Sequence, residues 1–271
     1  MRIVLCCLAK NEHDYINDFV KWYVNLGFDT IYIYDNDDLD KPYIGDYIDK
    51  KYLSKVEIID IRGVHKDKLQ QKTYTKFYET HKFDWCFFCD VDEFLNGVKD
   101  IHSFLNQPQF NNIPQIRVKW KLFGDDDYIT RDMSKPVYEA FKKEVKHTLN
   151  RNLIQKGNLE LQGKMFVKGG INGVIITSPH FASLGNRNNV LPSILPSGKA
   201  CKSKVAIYED YSHECVFLHH YMTKSLTEFI KQKMNRTDAV FGDIKINMSY
   251  YWRINKPTKE KIDFLQNLGL I

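Results

Sequence analysis

The residues with the clearest chemical capacity are Asp90 and Asp92, in the run Trp85-Cys86-Phe87-Phe88-Cys89-Asp90-Val91-Asp92-Glu93-Phe94. An apolar stretch of strand length ends in two carboxylates spaced i, i+2, with a third directly after. Residues i and i+2 of an extended strand share a face, so both carboxylates are expected to point the same way. At the carboxyl end of a buried strand such a pair suits a hard divalent cation held against a phosphate. Mg²⁺ or Mn²⁺ takes one or two protein carboxylates and fills its remaining positions with water and phosphate oxygens. The plainer alternative is a strand running out into a solvated acidic turn, and a bare D-x-D pattern fits that equally well. The continuous hydrophobic strand in front of it favours the metal–phosphate reading.

The elements that must position this pair alternate through the first third of the chain. Residues 3–8 form an apolar strand. Asn11 resembles a helix N-cap with Asp14 at the capping-box position. Tyr15, Ile16, Phe19, Trp22, Tyr23 and Leu26 then follow at helical spacing, and Gly27 stops the helix. Residues 30–34 read as a second strand ending in Asp35-Asn36-Asp37-Asp38, and 56–61 as a third. Residues 68–81 read as a helix carrying Gln70, Gln71, Lys72 and Tyr74, and 83–89 as the strand that delivers Asp90 and Asp92. Strand–helix–strand alternation predicts an α/β fold with a mostly parallel, right-handed sheet. Ligands of such sheets bind outside the carboxyl ends of the strands, where Lys10, Asp35 and the Asp90/Asp92 pair all fall. Beyond Phe94, residues 116–122, 165–167, 174–177 (after an Asn172-Gly173 turn) and 216–219 read as strands. Residues 185–203, rich in Asn, Pro, Ser and Gly, read as a long loop. Residues 225–236 read as a helix, with Ser225-Leu226-Thr227-Glu228 as a capping box.

Composition bounds the remaining choices. A chain of 271 residues with 43% hydrophobic and 14% aromatic residues can bury a sizeable core. A net charge of +5 suits anionic substrates and leaves room for peripheral membrane contact, but no basic block or aromatic–basic signature marks a nucleic-acid partner. The first apolar run is too short for a signal-peptide core, and no stretch has the length of a membrane span, so a cytoplasmic protein is expected. Six cysteines offer no zinc spacing. Cys86 and Cys89 form C-x-x-C on a strand, where i and i+3 face opposite sides, so buried thiols of a reducing compartment are expected.

Several segments together resemble GT-A fold glycosyltransferases of the family 2 and family 92 type. These are Glu12 with Tyr15-Ile16 through Gly27, then Ile31 to Asn36, then Asp84-Trp85 through Phe94. Trp120 with Phe123-Gly124-Asp125 is similar to the acceptor-side turn of the bacterial members. His219-His220-Tyr221-Met222-Thr223-Lys224-Ser225, with Glu228-Phe229, Lys233 and Arg236, is similar to their H-Y-x-T-K-S motif. Tyr23 and Phe19 depart from the His and Trp that many members carry.

The resemblance implies a single GT-A domain, with a nucleotide-sugar-binding half over 1–95 and an acceptor-binding, C-terminal half over 96–271. The implied activity is inverting transfer of a sugar from a nucleotide-sugar donor, a UDP-sugar being favoured, to a hydroxyl of a glycan or glycolipid. The cofactor is Mn²⁺ (or Mg²⁺), held by Asp90 and Asp92 with His220 completing its shell. Lys10, Glu12, Asp35, Gln71 and Asp90 are expected on the donor, and Lys224 and Arg236 on its diphosphate. Asp125 is the expected general base, with Asp126 in reserve. His180 is a weaker rival for the metal. Two other classes stay open: a nucleotidyl- or phosphotransferase using the same carboxylates, against which Leu8-Ala9-Lys10-Asn11-Glu12 contains no glycine, and a non-catalytic sugar-binding module.

Overall fold

The computed structural model describes residues 1–64, 66–145, 162–201, 214–234 and 246–271. The strands are β1 (Ile3–Ala9), β2 (Thr30–Asp35), β3 (Val56–Asp60), β4 (Trp85–Phe88), β5 (Glu93–Asn96), β6 (Gln115–Leu122), β7 (Gly163–Lys168), β8 (Val174–Ser178), β9 (Phe181–Leu184), β10 (Ser193–Ile194) and β11 (Phe217–His220). The helices are α1 (Ile16–Asn25), α2 (Leu69–Thr80), α3 (Ile101–Leu105), α4 (Val137–Ala140), α5 (Leu226–Gln232), α6 (Met248–Trp252) and α7 (Lys259–Asn267). Contacts divide the chain into two compact units, residues 1–121 with 147–219 and residues 122–146 with 220–271.

The expected α/β class holds in the first unit. Its sheet runs in the order β3-β2-β1-β4-β7-β6-β11-β5, with β10 beside β6. β3, β2, β1 and β4 are parallel neighbours, whereas β7 is antiparallel to both β4 and β6. Strand order steps outward from β1 through β2 to β3, then jumps back to β4 on the other side of β1. That reversal is the topological switch point, where the carboxyl ends of adjacent strands part to leave a crevice.

Burial explains the pattern. One face of the sheet packs Val4, Cys6, Cys86, Phe88, Met165 and Val167 against Tyr74, Phe77 and Tyr78 of α2. α1 contributes Ile16, Phe19, Val20 and Tyr23, and Tyr23 lies 5.3 Å from Phe28 and 6.1 Å from Phe87 between ring centroids. The Tyr23 hydroxyl donates to the Glu93 carbonyl at 2.9 Å and accepts from the Leu95 amide at 3.1 Å. The tyrosine thereby clamps the strand that leaves the acidic turn. Burial raises the pKa of the Cys6, Cys7, Cys86 and Cys89 thiols well above the ordinary value. These four and Cys201 are buried, whereas Cys215 is exposed.

Several expectations need correction. Asn11 does not cap α1. Its backbone is left-handed at φ 59° and its amide donates to the Asp37 carboxylate at 2.7 Å. The helix begins at Ile16 because the Glu12 carbonyl accepts from the amides of both Tyr15 and Ile16. Within the expected loop over 185–203, β10 adds a two-residue parallel pairing to β6. There the Gln115 carboxamide donates to the Leu191 carbonyl and accepts from the Ala182 amide. The helix expected over 225–236 is described as Leu226–Gln232 with its capping box intact, and residues 235 and 236 lie outside the described residues. Among the described residues no helix is long and apolar enough to cross a membrane.

Candidate functional site

The Asp90/Asp92 pair closes β4, but not as continuing strand. β4 ends at Phe88 and Asp90-Val91-Asp92-Glu93 is a tight turn, with the Glu93 amide donating to the Asp90 carbonyl at 3.1 Å. The same-face argument for an extended chain therefore does not apply. Glu93 locks it from below, its carboxylate accepting from the Asp90 amide at 2.8 Å. Glu93 is fully buried, and burial raises its pKa well above the usual carboxylate range.

Two side chains that were not expected at the site converge on Asp90. Gln70 Nε2 donates to Asp90 Oδ1 at 2.7 Å, and Lys164 Nζ donates to Asp90 Oδ2 at 2.7 Å. The α2 face that turns to the sheet carries Gln70 and Tyr74, and these two bond to each other at 3.2 Å. Lys164 was not legible as a site residue, since a lysine near the start of a strand reads as a solvated edge. In the fold, β7 runs antiparallel to β4 with Met165 opposite Phe88. Lys164 is thereby set just past the end of β4, 1% exposed, with Glu93 Oε1 at 3.7 Å. Burial alone would lower its pKa, but Asp90 and Glu93 outweigh that and hold it above the ordinary lysine value. The Trp120 ring centroid lies 5.9 Å from the ammonium.

His180 stands beside this cluster. Its Nδ1 lies 2.9 Å from the Gly163 carbonyl and its ring is edge-on to Trp120 at 5.2 Å. Burial, then the Lys164 charge, lowers its pKa to about 3, so the ring is neutral.

The neighbouring strand ends carry the other expected donor residues of this unit. Lys10 Nζ pairs with Asp38 at 3.3 Å. Glu12 is buried and its backbone starts α1. Asp35 is 0% exposed, and its carboxylate accepts from the Asp37 amide at 3.2 Å and the Ile44 amide at 3.1 Å, holding the turn after β2. Just after β3, Arg62 bonds Asp60 and lies 5.6 Å from the Tyr43 ring centroid.

Residues expected on the acceptor side fall in the second unit. The Asp125-Asp126-Asp127 turn has left-handed backbone at Asp126 and Asp127, φ 50° and 68°. Asp125 is buried at 4% exposure. Its carboxylate accepts from the Tyr251 hydroxyl, pairs with Lys261 Nζ at 2.5 Å and accepts from the Asp127 amide at 2.9 Å. The two carboxylate oxygens of Asp126 accept from the Lys142 and Lys143 amides at 2.8 and 2.9 Å. Asp127 pairs with Lys143 at 2.7 Å. Within the turn Asp125 is buried, Asp126 is half-buried and Asp127 is exposed. Lys261 lies in α7 and was not foreseen. His220 is buried, and its carbonyl accepts from the Phe123 amide at 3.0 Å. Lys224 is 1% exposed with a left-handed backbone at φ 56°. Between them Thr223 Oγ1 accepts from Asn255 Nδ2 at 2.9 Å. Arg236 lies outside the described residues.

The donor set of the Asp90–Asp92 turn fits a hard divalent cation in kind. Two carboxylates stand at the switch-point edge, and among the described residues no group of three His, Cys, Asp or Glu side chains gathers as a closed metal cluster. A cation held there would take the remainder of its shell from water and a phosphate-bearing ligand.

No protein-family model matches the chain, and no curated protein matches it. Among solved structures the chain is similar over part of its length to S. aureus TarS in complex with UDP-GlcNAc. That likeness has 15% identity and a TM-score of 0.38, covering 62% of this chain and 45% of that one. It is also similar to the mannosyltransferase PcManGT from Pyrobaculum calidifontis in complex with GDP-Man and Mn²⁺, with 8% identity, a TM-score of 0.32 and coverage of 43% and 35%. For mannosyl-3-phosphoglycerate synthase from Rubrobacter xylanophilus the figures are 10% identity, a TM-score of 0.33 and coverage of 62% and 53%. The chain thus spans about half or less of the length of these solved chains.

Proposed function

We propose that this chain is a GT-A glycosyltransferase that moves a sugar from a nucleotide-sugar, with a UDP-sugar favoured, to a hydroxyl of a glycan or glycolipid, with inversion. The observation that carries the reading is the placement of an acidic turn at the switch point between β1 and β4, with β2 alongside. There the parallel strands present their carboxyl ends, with Asp90 partly exposed and Asp92 buried beside it. Asp90 and Asp92 would hold Mn²⁺ or Mg²⁺, which when bound supplies charge stabilisation to the departing diphosphate. Gln70 and Lys164 hold the Asp90 carboxylate in place through one oxygen each. Lys10 and the turns after β1 and β2 line the same edge and are assigned to the nucleoside side. In the reaction the acceptor oxygen bonds to the anomeric carbon, the bond from that carbon to the diphosphate oxygen breaks, and the acceptor proton passes to a base. Asp125, with Asp126 in reserve, is the base of this reading, and the ion pair of Asp125 with Lys261 is what it would have to give up to take the proton. Surface-polysaccharide or lipopolysaccharide assembly in the cytoplasm, at the inner face of the membrane, is the cellular setting that fits a basic chain with such an activity.

Calorimetry with UDP and with GDP, each with and without Mn²⁺, tests the reading. One nucleotide is expected to bind at least about tenfold more tightly with the metal. The Asp92→Ala protein should lose that enhancement and its turnover while keeping its melting temperature. Nucleotide binding indifferent to Mn²⁺ and to Asp92→Ala would overturn it.

A further inference from the structure

We propose that Lys164 is the resident cation of the acidic turn, a positioning residue that holds Asp90 and competes with a divalent cation for its carboxylate. A lysine is among the residue types least often fully buried, and burying its charge is costly unless it is paired and hydrogen-bonded. Lys164 is 1% exposed, and its ammonium sits 2.7 Å from Asp90 Oδ2 and 3.7 Å from Glu93 Oε1. The position is built, not incidental. β7 is locked on both sides, opposite Cys86, Phe87 and Phe88 of β4 and opposite Val118 and Lys119 of β6. Gly163, immediately before it, admits no Cβ, since one would fall 2.0 Å from the Val118 carbonyl oxygen. The lysine stem is therefore aimed at the acidic turn by backbone that cannot shift.

An ammonium at hydrogen-bond distance already neutralises the carboxylate that a metal would use, and two cations on one carboxylate repel each other. This inference rests on the metal reading of Asp90 and Asp92 and adds a condition to it. The bare protein should take a divalent cation weakly, and the cation should bind well only together with a diphosphate, whose negative charge relieves the repulsion. A lysine with a merely structural role makes the opposite prediction for its removal, because loosening the turn would weaken metal binding.

The test is titration of Mn²⁺ alone, followed by the EPR signal of the free ion, on the wild-type chain, Lys164→Met and Lys164→Arg, with circular dichroism to confirm folding. Lys164→Met is expected to bind Mn²⁺ at least about tenfold more tightly than wild type, and Lys164→Arg, which keeps the charge, within about threefold of it. Equal or weaker binding by Lys164→Met overturns the proposal. Should that variant not fold, Lys164→Arg decides: binding close to wild type supports the proposal, and a change beyond about tenfold in either direction overturns it. If neither wild type nor Lys164→Met binds Mn²⁺, the competition and the metal reading both fall. Equal binding in the two leaves the metal reading standing and removes only the role given to Lys164.

Discussion

At the scale of single residues, the second unit turns on Asp125. A buried carboxylate flanked by a buried ammonium and a buried phenol is stable only as a complete set, since removing one partner of a buried pair typically costs about 3–5 kcal/mol. Burial and then the Asp125 hydrogen bond push the Tyr251 pKa upward, keeping the phenol protonated as a donor. Lys261→Met is therefore expected to lower stability by about 3 kcal/mol in urea denaturation. The double variant Asp125→Asn/Lys261→Met should recover part of that loss, because no charge is left unpaired. Asp125→Asn separates two roles: a base loses turnover by about 10²–10⁴-fold with stability intact, whereas the anchor described here loses stability first. The sequence marked Asp125 as a candidate base because it follows a strand and a glycine, and did not foresee its burial. It could not show that Lys261, 136 positions later by residue number, supplies the counter-charge. Pairing across that separation is a property of the folded chain and leaves no local pattern.

At the scale of elements, legibility follows the strength of periodic signals. β1, β2 and β4 were readable as apolar runs and α1 from its helical spacing, while β5, β9 and α3, at four or five residues each, were not singled out. The same limit misread the acidic turn. An i, i+2 spacing means one face only while the chain stays extended, and β4 stops at Phe88. Gln70 escaped for a related reason, since sequence phase alone does not fix which side chain of a helix reaches a carboxylate on another element. The capping box was legible and holds: Ser225 accepts the N3 amide, and the Glu228 carboxylate accepts from the Ser225 amide at 3.1 Å. Ser225→Ala should cost about 1 kcal/mol, read as a lowered melting temperature. Gly163→Ala, driving a Cβ against the Val118 carbonyl, should cost about 1–3 kcal/mol by splaying β6 from β7, with slowed hydrogen exchange lost across both strands.

At the scale of the whole molecule, strand–helix alternation set the class correctly, but the sequence could not foresee how charge is distributed inside. His180 is held neutral in the fold, with a pKa lowered from 6.5 to about 3. A histidine whose folded pKa is depressed leaves stability undiminished above its unfolded value. As pH falls from 6.5 towards about 3, the unfolded chain takes up the proton and the folded one does not. Stability should then fall by up to about 1.4 kcal/mol per pH unit from this one group. Acid denaturation of His180→Asn should show a shallower slope than wild type across that window. The cysteines carry a last, practical consequence. Five of the six thiols lie inside the protein and only Cys215 faces solvent. A maleimide dye offered to the native protein should therefore attach quickly once, and further attachments should await unfolding. The chain comes with a single natural handle for a fluorescent reporter, and the count of added dyes, read by mass, becomes a clock for the opening of its core.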